Sequence, residues 1–182
     1  MPIDTYIVLV GVYPDVYAAE ADYKRIQDLH TEAHLIDAYD AAVLERREGG
    51  KVKIVKKHET PTRVGGVLGG GVGLATGVVV ALFPFAAVGS GLLAATTVGG
   101  SVLGALAGHA VAGMSRDDLK ELGESLDEGQ AGLVVVGVSD MGSKIERAME
   151  RAERTTTKQL EVDNDDLERD AQVLEGTTTD GA

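Results

Sequence analysis

Between Val64 and Ser115 the chain carries no Asp, Glu, Lys or Arg, and His109 is the only titratable side chain in the stretch. A charge-free run of this length has to be buried against something: a bilayer, another subunit or the rest of its own chain. The flanks are the reverse. The formal charge of −12 divides into −2 for residues 1–63 (11 acids, 9 bases) and −10 for residues 116–182 (18 acids, 8 bases). The chain is an apolar middle between two polar arms.

That middle is also rich in glycine, with seven between Gly65 and Gly77. Gly65, Gly69, Gly73 and Gly77 recur every fourth residue, as do Gly100, Gly104 and Gly108, while Ala87, Gly91, Ala95 and Gly99 make a further row of small residues. On helices such rows form one bare face. Pro84, in "FPF", interrupts the run. The pattern predicts a helical hairpin with arms at about 64–82 and 86–113. Interior glycine costs about 1 kcal/mol each relative to alanine, so the first arm forgoes roughly 7 kcal/mol. A bare face repays that only where another backbone lies against it. Small-xxx-small rows do this in bilayers, where lipid also enforces helix. About 20 apolar residues span a bilayer core, which both arms supply.

Lys51, Lys53, Lys56, Lys57 and Arg63 precede the segment, and a two-pass hairpin with this basic approach is expected to keep both flanks on the cytoplasmic side. The same strip would meet anionic headgroups. Three other placements fit the pattern: burial between subunits of a soluble homo-oligomer, folding back over the chain's own sheet, and an irregular glycine-rich loop.

The flanks read as α+β. "TYIVLVGVY" (5–13) is a buried strand, and Asp15 caps a helix running to about 33 with Val16, Ala19, Tyr23, Ile26 and Leu29 inward. Residues 36–47 and 51–58 are strands around "EGGK". Ser115 caps a helix with acids in its first turn. "AGLVVVGVS" (131–139) is a second buried strand, 139–154 a charged helix, 155–162 a short strand, and "NDDLERDAQVLE" a last helical turn or two. Without the middle the order is β-α-β-β-α-β, the ferredoxin-like pattern. That arrangement centres the first and third strands. The lysine-rich 51–58 is a poor centre and the wholly apolar 133–138 a hazardous edge. Strand 133–138 is therefore expected to be covered, by 155–162 or by another subunit. The division is a discontinuous ferredoxin-like domain (1–63 and 115–162), the hairpin (64–114) and an acidic tail (163–182).

Composition removes several functions. An acidic chain disfavours nucleic acid. Without cysteine there is no disulfide, thiol catalysis or cysteine metal site. "MPIDTYIVLV" lacks the basic start of a secretory signal. "GGVLGGGVGLATG" has neither a Gly-Lys-Ser/Thr ending nor a G-x-G-x-x-G frame, so it is not a phosphate loop. His30 and His34 stand four apart without a third ligand, and "DNDD" (163–166) lacks the glycine and glutamate of a calcium loop. No acid/base pair for catalysis is evident.

The motifs "YIVLVGVYPDVYAAEADYKRI", "ETPTRVGGVLGGGVGLATGVVVALFPFAA" and "LGESLDEGQAGLVVVGV" together resemble a family of bacterial and archaeal proteins of unknown function, often labelled predicted membrane proteins. The resemblance spans roughly residues 5–160. It implies membrane association and carries no activity, cofactor or catalytic residue. The expectation is a non-enzymatic protein without cofactor or metal. It inserts its hairpin in the cell membrane and self-associates through Gly65, Gly69, Gly73, Gly77, Gly91, Gly100, Gly104 and Gly108. The alternative is a soluble, cytoplasmic homo-oligomer or small-ligand sensor with the hairpin buried between subunits.

Overall fold

Strands whose residues are apolar at every position need cover on both faces, and that requirement organises this α+β fold. The computed structural model describes residues 3–34, 39–47, 51–59, 75, 78, 79, 82, 87, 88, 91, 92, 113–127 and 130–163. In chain order the elements are β1 (Ile3–Tyr13), α1 (Val16–Thr31), β2 (Tyr39–Arg46), β3 (Val52–Glu59), β4 (Ala87–Val88), β5 (Gly91–Leu92), α2 (Arg116–Asp127), β6 (Ala131–Val138), α3 (Gly142–Ala148) and β7 (Arg154–Asp163). A 3-10 turn, Ser139–Met141, leads into α3.

The sheet order is β5-β4-β3-β2-β6-β1-β7. From β3 to β7 every pairing is antiparallel, with a register shift opposite Val43 and Leu44 that leaves Val55 of β3 as the extra residue. β6 lies in the middle, flanked by β1 and β2. Strand 133–138 is thus covered, but by β1 and β2. Residues 154–163 pair instead with the far side of β1, over ten residue pairs without a register break. The strand expected third, 51–58, is not central: β3 pairs with β2 and with the two-residue β4. Its lysines explain this, since a central strand would bury them on both faces.

On one face Ile7, Leu9, Tyr13, Val43, Leu133 and Val135 meet Ala19 and Ile26 of α1 and Ile145 of α3. On the other, Val8, Val10, Ala42, Ile54, Val134 and Val136 meet Leu122 and Leu126 of α2. The Leu126 side chain fills the space that a Cβ on Gly132 would need, so glycine in β6 permits close seating of α2. Asp15 caps α1 by accepting from the Ala18 amide at 2.8 Å, and Ser115 caps α2 by accepting from the Asp118 amide at 3.1 Å. Helix 139–154 is shorter than expected, because the chain turns at Met149–Glu153 to begin β7.

In the apolar middle, Gly65, Gly69, Gly73, Gly77, Gly100, Gly104, Gly108 and Arg63 lie outside the described residues, as does the proposed tail beyond Asp163. Gly91 is described and is not helical. It pairs with Val88 while Leu92 pairs with Ala87. Within the expected second arm, Ala87–Val88 and Gly91–Leu92 are therefore extended, and β4 pairs with Lys53 and Ile54 on the outer side of β3.

Candidate functional site

The apolar middle meets the sheet at four described helical positions, Ala75, Val78, Val79 and Leu82. Their spacing of 0, 3, 4 and 7 puts them on one helical face. Ala75, Val78 and Val79 are fully buried in the same cluster as Val8, Val10, Val134 and Val136, and Leu82 packs partly against it. This face of the segment is core of its own chain. Among the described residues no helix is long and apolar enough to cross a membrane.

The basic strip is only partly available. Lys56 binds Glu20 of α1 at 2.9 Å, Lys53 is half-buried and Lys51 is exposed. The side chain of Lys57 lies outside the described set. The attraction of Lys56 for an external anion is therefore largely neutralised by its own helix.

Polar chemistry gathers between α1 and α3. Asp22 is wholly buried, on the inward stripe between Ala19 and Ile26. Its Oδ2 accepts from the Tyr13 hydroxyl at 3.1 Å and from the Arg151 amide at 2.8 Å. Its Oδ1 makes no hydrogen bond and faces the Arg25 guanidinium at 3.9 Å, which also binds Glu150. Burial, then the Asp22 charge, raises the Tyr13 hydroxyl far above the ordinary tyrosine range. Arg25 and Glu150 edge an open groove of about 470 Å³, with Leu29, Ala33 and Ala148 supplying apolar surface and Lys144 and Arg147 further cations. An acid on an inward stripe was legible in the sequence; its partners, 9 and 129 residues away, were not.

His30 and His34 have different surroundings. His30 sets its ring edge-on to Tyr39 at 5.5 Å, and Tyr39 stacks on His58 of β3 at 4.5 Å. His34 lies exposed past the helix end with φ of 51°. Among the described residues no group of three His, Cys, Asp or Glu side chains is arranged to hold a metal. Compared with family models, curated proteins and solved structures, the chain matches none.

Proposed function

We infer that this is a non-enzymatic, self-associating protein whose apolar middle serves first as a cover for its own sheet. The carrying observation is the complete burial of Ala75, Val78 and Val79 in the core cluster that the sheet shares with α2. Lifting that face into lipid would open the apolar core that it shares with Val8, Val10, Val134 and Val136. This favours the homo-oligomer over an inserted first arm. The every-fourth-residue glycines of the sequence would make one bare face on a helix, and a second copy laid against that face would be the partner they serve.

The sheet supports a ferredoxin-like reading with different members from those the sequence suggested. β1-α1-β2-β6-α3-β7 is a βαββαβ run whose strands stand in the order β2-β6-β1-β7, with α1 and α3 in the same face's core. Residues 47–130 are then one insertion between its second and third strands, adding β3, the apolar middle and α2. The family resemblance stays a proposal alongside this and adds no activity.

The test is Gly69→Leu with Gly73→Leu in the full chain. Loss of the oligomer, with far-UV dichroism unchanged, is expected; an unchanged oligomer size would refute the glycine interface. Membrane insertion, with both flanks cytoplasmic, is the competing outcome. Flotation with lipid that survives an alkaline carbonate wash would establish insertion in place of the sheet-covering role.

A further inference from the structure

α3 has seven residues against sixteen in α1, so it flanks the second half of α1 for only part of its length. Leu29, Ala33 and Ala148 make the groove between them apolar. Its two walls differ in charge. On the α1 side Lys24 binds Asp28 at 3.1 Å and Arg25 binds Glu150. The α3 side carries Lys144 and Arg147, and Arg147 forms no ion pair among the described residues. Glu32 and Lys144 mark one end of the groove, where α1 closes and α3 starts. β7 stops at that same end of the sheet. Asp163 pairs with Ile3, the first residue of β1. Tyr39, which opens β2 after α1, pairs with Gly137, and Gly137 pairs with Ile7 near the same start. A Cβ on Gly142, at the start of α3, would strike the Ile7 side chain.

We propose that residues 167–175 of this chain dock in the groove as a helix. They lie outside the described set, and their sequence, "LERDAQVLE", matches the groove in pattern, reach and charge. Leu167, Ala171 and Leu174 are spaced 0, 4 and 7, which gives one apolar stripe for an apolar groove. The step from Asp163 to Leu167 reaches ~14 Å at full extension, more than the roughly 10 Å diameter of a helix layer. A helix over 167–175 would be ~13 Å long, against ~10 Å along α1 from Arg25 to Glu32. At ~100° per residue, Glu168 and Glu175 share one flank of the stripe and Asp170 takes the other. In the strand order β2-β6-β1-β7, right-handed crossovers set α1 toward β2 and α3 toward β7. A right-handed helix that enters at the end of β7, with its stripe toward the sheet, then turns Glu168 and Glu175 to the α3 wall and its cations. Asp170 faces α1 near Glu32, the one unfavourable pairing. Tethering gives this segment an effective concentration on the order of millimolar, which an untethered partner would have to exceed. The groove is separate from the 64–114 segment, and the proposal does not rest on the glycine interface.

The chain has no cysteine, so engineered pairs report without background. Full-length Ala148→Cys with Leu174→Cys, and Ala33→Cys with Leu167→Cys, are each expected to join within one chain under a short bis-maleimide, read by peptide mass mapping. Tyr17→Cys with Leu174→Cys is the control and should stay unlinked, since Tyr17 is exposed near the other end of α1. Arg147→Glu is expected to slow linking by about threefold to fivefold. Glu168→Arg with Glu175→Arg should restore the rate in that background, and Asp170→Lys alone should raise it. A link at neither test pair, equal rates in test and control pairs, links only between chains, or a rate indifferent to Arg147→Glu would each overturn docking in the groove. A segment seated on a second copy would appear as the third of these.

Discussion

Val79→Ala tests most directly whether the apolar middle belongs to the domain core. Val79 is fully buried in a cluster drawn from β1, β2, β3, β6, α2 and β7. The substitution removes two carbons. At about 0.8 kcal/mol per buried carbon, transfer alone accounts for about 1.6 kcal/mol. The residual cavity adds to this, for a total of about 2–3 kcal/mol. For a chain of this size each kcal/mol lowers the melting temperature by about 2–4 °C, so a fall of about 4–12 °C is expected. Tyr17→Ala is the control: Tyr17 is 80% exposed, and its removal is expected to stay within about 0.5 kcal/mol. Thermal melts followed by far-UV dichroism, without detergent, distinguish the two. If Val79→Ala melts within about 1 °C of the native protein, well below the shift that burial requires, the segment contributes no packing to the sheet. The preference for homo-oligomer over inserted hairpin then loses its basis.

Other consequences follow from the polar core. Asp22→Ala leaves the Tyr13 hydroxyl and the Arg151 amide without their acceptor. It is expected to lower stability by about 3 kcal/mol, read as a reduced urea midpoint at unchanged slope. Asp22→Asn, which keeps an acceptor oxygen, should cost less. Burial raises the hydroxyls of Tyr13 and Tyr39 above their unfolded value near 10. Their contribution is therefore complete below about pH 10 and is lost as pH rises above it, by up to about 1.4 kcal/mol per pH unit for each tyrosine. Urea titrations between about pH 9 and 11.5, spanning the unfolded tyrosine value, should show this decline, and Tyr13→Phe should remove one proton's share of the slope. A slope unchanged in Tyr13→Phe would contradict the burial account.

The sequence was most informative where a local rule acts alone. Asp15 and Ser115 read as caps because their side chains and the amides they meet are three residues apart. The inward stripe of α1 followed from helical spacing, and Ala19 and Ile26 are buried as that spacing requires. Assigning strands to sheet positions was harder. Val52–Glu59 and Ala131–Val138 each fit the third place in a βαββαβ count, and only their pairing decides between them. Strong apolarity did mark Ala131–Val138 as needing neighbours, without indicating which. Gly91 shows the opposite failure: its every-fourth-residue spacing suggested a helix, while extended pairing with Val88 of β4 prevailed. The groove between α1 and α3 was illegible, since it joins residues as far apart in the chain as Arg25 and Glu150.

The central place of β6 has a consequence for synthesis. β1 and β2 are made early but share no ladder; each pairs with β6, which leaves the ribosome only after residues 47–130 have emerged. Until then the nascent chain holds two apolar strands with a vacant position between them. Closure must wait for a partner distant in sequence, which slows folding and leaves strand edges open to mispairing. This domain should accordingly be a slow, late folder, with the greatest need for chaperone protection in the interval before Val138 is synthesised.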